Sequence, residues 1–177
     1  MKLAIFSRSK VMGTCEGSQR EARAIIGKSR PEWPAGFRIV WDFSPTNIYR
    51  AEDGASPDDY LPSEYRFGEA DLIELDSSLH GHSRRGDSEL WTIAAHKVAG
   101  VILHWSNGGV MTPPMLDINM GCLVITGGNN RIAVCRADGL VRLPFIYPTD
   151  KTELFVAKLK SFQSLNSGHE LFGSAAN

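Results

Sequence analysis

Cys122-Leu123-Val124-Ile125-Thr126-Gly127-Gly128-Asn129-Asn130-Arg131-Ile132-Ala133-Val134-Cys135-Arg136-Ala137-Asp138-Gly139 holds the chain's most informative change of pattern. Its first residues are apolar and β-prone, which predicts a strand. Two glycines end that run, Asn129 or Asn130 can cap a helix, and Gly139 supplies the left-handed residue that stops one. Strand, glycine turn and helix in this order also suit an anion. Glycines let backbone approach it closely, and a helix N-terminus presents N–H groups that have no intrahelical partner. Arg131 would add a fixed charge and a fork of donors matched to phosphate oxygens. A structural turn with a solvated arginine explains the same residues, and glycine turns are commoner than phosphate sites.

On the N-terminal side, Pro113-Pro114 lead into a strand candidate, Met115 to Ile118, which Asn119-Met120-Gly121 joins tightly to Cys122-Ile125. On the C-terminal side, Val141 to Tyr147 reads as a strand ended by Pro148. Asp150 with Glu153 then opens a helix carrying Leu154, Phe155, Leu159 and Phe162. Upstream, Asp71 to Leu75 reads as a short strand running into a polar turn, His80 to Gly86. A helix follows from Asp87 or Ser88 to about Trp105, with Trp91, Ala94, Ala95, Val98, Ile102 and Trp105 on one apolar face and Ser106-Asn107-Gly108-Gly109 as its stop. Phe37 to Phe43 is another strand candidate, and Ser44 to Gly68 reads as a long surface loop. Lys2 to Phe6 reads as a strand and Ser18 to about Ile26 as a capped helix, which Pro31 and Pro34 bar from continuing. The pattern predicts an α/β protein: one domain with a small mixed β-sheet flanked by helices. Residues 71–160 form its core, 1–70 a strand-helix extension packed on that core, and 161–177 a tail.

A chain of 177 residues that is 42% hydrophobic can bury one good core. Its 19 Lys and Arg against 20 Asp and Glu leave no global basic field, so any anion site must be local. Cys15, Cys122 and Cys135 are odd in number and lack a C-x-x-C spacing. That argues against a disulfide framework and a zinc knuckle, and fits a reducing, cytoplasmic setting. No apolar run approaches the roughly 20 residues of a membrane span, so recruitment to the inner membrane would run through a partner.

The longer pattern Gly128-x-x-Arg131-x-Ala133, followed by Gly139 and by Pro144 within a strand, resembles the signature of the ParB/sulfiredoxin superfamily. There a Gly-x-x-Arg motif opens the nucleotide-binding helix. The resemblance extends back over the basic turn to Asp71 and forward to Leu159. It implies a ParB/sulfiredoxin-like core whose nucleotide or phosphate contacts come from Gly127, Gly128, Asn129, Asn130, Arg131, Ser83, Arg84 and Arg85. In that scheme Arg131 clamps phosphate, Asn129 and Asn130 orient it or the attacking water, and Arg84 and Arg85 neutralise charge. Arg131, Asn130 and Arg84 are thus the catalytic candidates.

Two departures narrow the implication. Sulfiredoxins carry a catalytic cysteine in the corresponding stretch, and Gly128-Asn129-Asn130-Arg131 has none; a helix-turn-helix DNA reader is not expected in the short sequence after Gly139. The Asn-Asn-Arg version of the motif, the size and the N-terminal segment are similar to plasmid fertility-inhibition proteins of the oncogenic-suppression (Osa) type. That similarity implies an ATPase and metal-assisted DNase that blocks DNA transfer through a conjugative type IV secretion system. ATP would be substrate or ligand, Mg2+ the cation, and the transferred DNA strand and a secretion coupling protein the partners. The alternative is a noncatalytic or nucleotide-gated binding protein that blocks the coupling component.

Other residues invite weaker readings. His80, His82 and His96 suggest a metal, but no third ligand is convincingly spaced, and a loop His-Gly-His is more often simply polar. Asp71, Glu74, Asp76 and Asp87 could activate water or hold Mg2+, although surface acids are mostly solvated. Tyr49, Tyr60 and Tyr65, with Arg50 and Arg66, could stack on bases. Trp91 and Trp105 are most simply core, and Cys122 and Cys135 inert and buried.

Overall fold

The computed structural model describes residues 19–81, 83 and 89–165. Helix α1 covers residues 19–25. After it come β1 (Tyr65–Asp71), α2 (Leu72–Ser78), α3 (Ala95–Ser106), β2 (Met115–Asn119), β3 (Cys122–Gly127), α4 (Asn129–Asp138), β4 (Arg142–Pro148), α5 (Thr152–Lys158) and β5 (Gln163–Leu165). The strands form one five-stranded open sheet in the order β3-β2-β4-β1-β5. Only the β2–β4 neighbours run parallel, so the sheet is mixed and the class is α/β, as the sequence predicts. The expectations for Lys2 to Phe6, Cys15, His82, Arg84, Arg85, Asp87 and the tail from residue 166 lie outside the described residues. Among the described residues no helix is long and apolar enough to cross a membrane.

The centre of the sheet follows from composition. β4 lies between β2 and β1, and its Leu143, Phe145, Ile146 and Tyr147 are at most 1% exposed, as expected of a strand covered on both faces. The β2–β3 hairpin pairs Asn119 with Cys122 around Met120 and Gly121, which take φ of 49° and 76°. Positive φ at both central residues matches the right-handed twist of the flanking strands. Gly128, in the left-handed region at φ 83°, turns the chain from β3 into α4 and takes the cap position expected of Asn129 or Asn130. Gly139 at φ 80° ends α4 with its N–H on Arg136 O.

Several sequence expectations are corrected. Asp71 to Leu75 is the end of β1 plus the first turn of α2, because the buried Leu72 and Leu75 are three apart, a helical spacing. The helix expected from Asp87 begins only at Ala95, since Ala94 has φ 53° and cannot continue a right-handed helix. Its apolar stripe still holds: Val98, Ile102 and Trp105 are fully buried. Phe37 to Phe43 is no regular strand. Trp41 makes one isolated bridge to Met111, while Phe37 and Trp41 pack edge-on against Trp105. The region read as a surface loop contains three proline-led 3-10 turns, Pro45–Ala51, Pro57–Asp59 and Pro62–Glu64, and buries Ile48 and Ala51. Proline presets the φ such turns need. α5 stops at Lys158, leaving Leu159 and Phe162 beyond it, though Leu159 is buried and Phe162 packs on the core.

Candidate functional site

A cavity of about 760 Å3 opens between α3, the β3–α4 junction and residues 42–53. That size falls in the usual range for small-molecule sites. From α3 it is lined by Lys97, Gly100, Val101 and His104, positions three and four apart that share one face of a helix. Thr126 to Arg131 line a second wall, and Asp42, Arg50, Glu52 and Asp53 a third.

The glycines of the β3–α4 junction are fixed by contacts within the protein. A Cβ on Gly127 would collide with the Ala51 carbonyl oxygen, and one on Gly128 would lie 2.9 Å from Pro114. Arg131, expected to contact phosphate, is directed into main chain. It is 8% exposed; one terminal nitrogen donates to Thr112 O, and the other to Ala51 O at 2.7 Å and to Arg50 O at 3.2 Å. The arginine therefore ties the Pro45–Ala51 turn and Thr112 to α4. Burial pulls its pKa down and the nearby Asp53 charge opposes that shift.

Asn129 and Asn130 form the first turn of α4 and line the cavity. The N–H groups of Arg131 and Ile132 turn back onto Gly128 O at 2.9 and 3.2 Å. The start of α4, the positive end of its dipole, lies at the cavity wall with Asn129 and Asn130.

Each acid of the third wall is engaged. Asp42 accepts from Ser44 N at 2.9 Å and Asn47 Nδ2 at 2.7 Å, and Glu52 accepts from the Tyr60 hydroxyl. Asp53 accepts from Lys97 Nζ at 2.6 Å, and this bond holds its carboxyl below the usual range. These residues do not fit a preformed Mg2+ site. Among the described residues no group of three or more His, Cys, Asp or Glu is placed to hold a metal ion.

His104 Nε2 lies 2.9 Å from Val110 O, and a carbonyl only accepts, so Nε2 is the donor in that contact. Gly100 stands in the interior of α3, where glycine costs about 1 kcal/mol relative to alanine. A Cβ there would meet nothing within 4 Å, so no packing contact requires the glycine. It leaves the helix backbone bare toward the cavity.

The structure thus brings Gly127, Gly128, Asn129, Asn130 and Arg131 to one cavity wall, with Arg131 turned inward. Ser83 is not among the cavity-lining residues, and Arg84 and Arg85 lie outside the described residues. The candidate acids of the core have structural partners: Asp71 binds Arg142 at 2.9 Å, Glu74 accepts from Lys160 N and Ser161 N, and Asp76 forms a two-point pair with Arg136. Tyr60 and Tyr65 pack on each other with ring centres 5.4 Å apart, away from the cavity lining. Sequence reasoning missed Lys97, Gly100, His104 and Asp53. The available signal was Lys97-x-x-Gly100-x-x-x-His104, a polar stripe opposite the apolar one. Comparison with protein-family models, curated proteins and solved structures finds no match for the chain.

Proposed function

We propose that the protein binds a phosphorylated ligand, a nucleotide in the first instance, in the cavity between α3 and α4. The observation that carries this reading is the convergence of the α4 N-terminus and the Lys97-Gly100-His104 face of α3 on one cavity of about 760 Å3. Backbone N–H groups at a helix start favour phosphate, and Lys97 adds a cation. The bare backbone at Gly100 leaves room for the rest of the ligand to lie against α3, beside the His104 ring on the same wall. Asn129 and Asn130 keep the orienting role proposed for them, whereas Arg131 acts by holding the wall in place.

For the biological role, we propose nucleotide-gated fertility inhibition: the ligand sets the state in which the protein blocks DNA transfer through a type IV secretion system, by gripping a coupling component. The engaged arginine and acids favour this binding reading. An ATPase and DNase acting from the same cavity is the second reading, supported by His104, an imidazole on the cavity wall.

One experiment separates the two. Purified wild type and Lys97→Met are incubated with labelled single- and double-stranded DNA, Mg2+ and ATP, following nucleotide binding, phosphate release and DNA cleavage together. ATP binding without turnover, weakened in Lys97→Met, supports the gated reading. Phosphate release and DNA cleavage lost in Lys97→Met support the hydrolytic one. Absence of any binding defeats both.

A further inference from the structure

We infer that Asp53 is an acidic gate, which competes with an anionic ligand for Lys97 and thereby sets how strongly the cavity discriminates ligand charge. The inference rests on the proposed phosphate-binding role of the cavity and adds a residue that decides its selectivity.

Charge balance is the first ground. Among the described residues the cavity is lined by three cations, Arg50, Lys97 and Arg131, and by three acids, Asp42, Glu52 and Asp53. Their formal charges sum to zero, so these side chains by themselves give an entering phosphate no net charge to meet and leave the attraction to the α4 N-terminus and to whichever cation is released. The cations differ in availability. Arg131 is engaged by carbonyls, and Arg50 donates Nε to the Tyr49 hydroxyl and lies 5.6 Å from that ring's centre. Lys97 is bonded to Asp53, with side-chain exposures of 50% and 81%, so the pair sits in water, where one anion readily replaces another.

Local backbone is the second ground. Ala51 is 1% exposed, its carbonyl accepts from Arg131, and Glu52 accepts from Tyr60, so the chain is anchored up to Asp53. Gly54 follows in the left-handed region at φ 86°, with open space around it. Asp53 therefore lies between a fixed point and a permissive turn, and its carboxylate can leave Lys97 without disturbing the buried Ile48 and Ala51. Ligand entry exchanges the Asp53–Lys97 pair for a phosphate–Lys97 pair. The benefit of removing Asp53 should then grow with the ligand's negative charge and vanish for a neutral one.

The test is calorimetric titration of wild type, Asp53→Asn, Lys97→Met and the double variant with ATP, AMP and adenosine, with thermal melts to verify folding. Asp53→Asn is expected to tighten ATP binding by about fivefold, the upper range for an exposed ion pair. The gain should be smaller for AMP, absent for adenosine, and absent for every ligand in the Lys97→Met background. Unchanged or weaker ATP binding by Asp53→Asn, with Lys97→Met still weakened, overturns the gate and leaves the cavity reading standing. No ATP binding by wild type or any variant overturns the cavity reading, and the gate with it.

Discussion

Arg131 donates from a terminal nitrogen to the carbonyl oxygen of Ala51 at 2.7 Å, joining two residues 80 positions apart in the chain. The same guanidinium holds Arg50 O and Thr112 O, so one side chain fixes two walls of the cavity. Arg131→Ala would leave those carbonyls without their donor, the Thr112 and Ala51 oxygens in buried contacts. It is expected to lower stability by about 3 kcal/mol or more, since each stranded buried group costs about 1–3 kcal/mol. Urea denaturation checks this, and a wild-type midpoint would restore a ligand-contacting role to the arginine.

Alanine at two glycines of this cavity should have opposite effects. Gly127→Ala drives a methyl group into the Ala51 carbonyl and is expected to destabilise by about 1–3 kcal/mol. Gly100→Ala meets open space in α3 and is expected to stabilise by up to about 1 kcal/mol, while its methyl occupies cavity and weakens ATP binding. Thermal melts with and without ATP report both. A stabilised Gly100→Ala with unchanged ATP affinity would remove Gly100 from the binding surface.

Asp76 and Arg136 join α2 to α4 by two bonds of 2.5 and 2.7 Å, and both side chains are 13% exposed. Asp76→Ala leaves the guanidinium short of its carboxylate. A loss of about 2–3 kcal/mol is expected, measured by denaturant titration, with no change in ATP affinity for the folded fraction. A selective loss of activity at unchanged stability would instead return Asp76 to the list of reacting groups.

Glu74 supplies a pH dependence. Its carboxylate accepts from Ser161 Oγ, Ser161 N and Lys160 N, and these bonds, the Ser161 hydroxyl first, hold its pKa below the ordinary 4.5. A carboxyl lowered by folding stabilises the fold above its unfolded pKa and loses that contribution as pH falls through the folded value. Wild type should therefore exceed Glu74→Gln in stability at pH 7, with the gap closing as pH drops below about 4.5. A gap that persists unchanged at low pH would show that the charge is not what matters.

The elements from Met115 to Tyr147 were legible in the sequence because each carries its own boundary signal, such as the Met120-Gly121 turn or the Gly128 and Gly139 caps. Upstream the signals were local and the structure is not. Pro45–Ala51 looks like loop until Arg131 and Gly127 draw it into the core, a contact across some 80 residues that no local pattern announces. Asp71 to Leu75 is too short a run for its pattern to separate strand from helix until the burial of Leu72 and Leu75 shows which positions face inward. At the cavity, Gly127 to Asn130 could be read from the glycine pair. Gly100 was overlooked because a helix-interior glycine usually reports nothing, and Asp53 because it meets Lys97 only through tertiary structure.

A 1H–15N correlation NMR titration of the wild-type protein with ATP tests whether the cavity holds a nucleotide. Concentration-dependent shifts are expected to cluster at Lys97, Gly100, His104, Asn129 and Asn130, on the two helices that line the cavity. Absence of shifts at millimolar ATP, or shifts confined to residues away from α3 and the start of α4, would contradict nucleotide binding there.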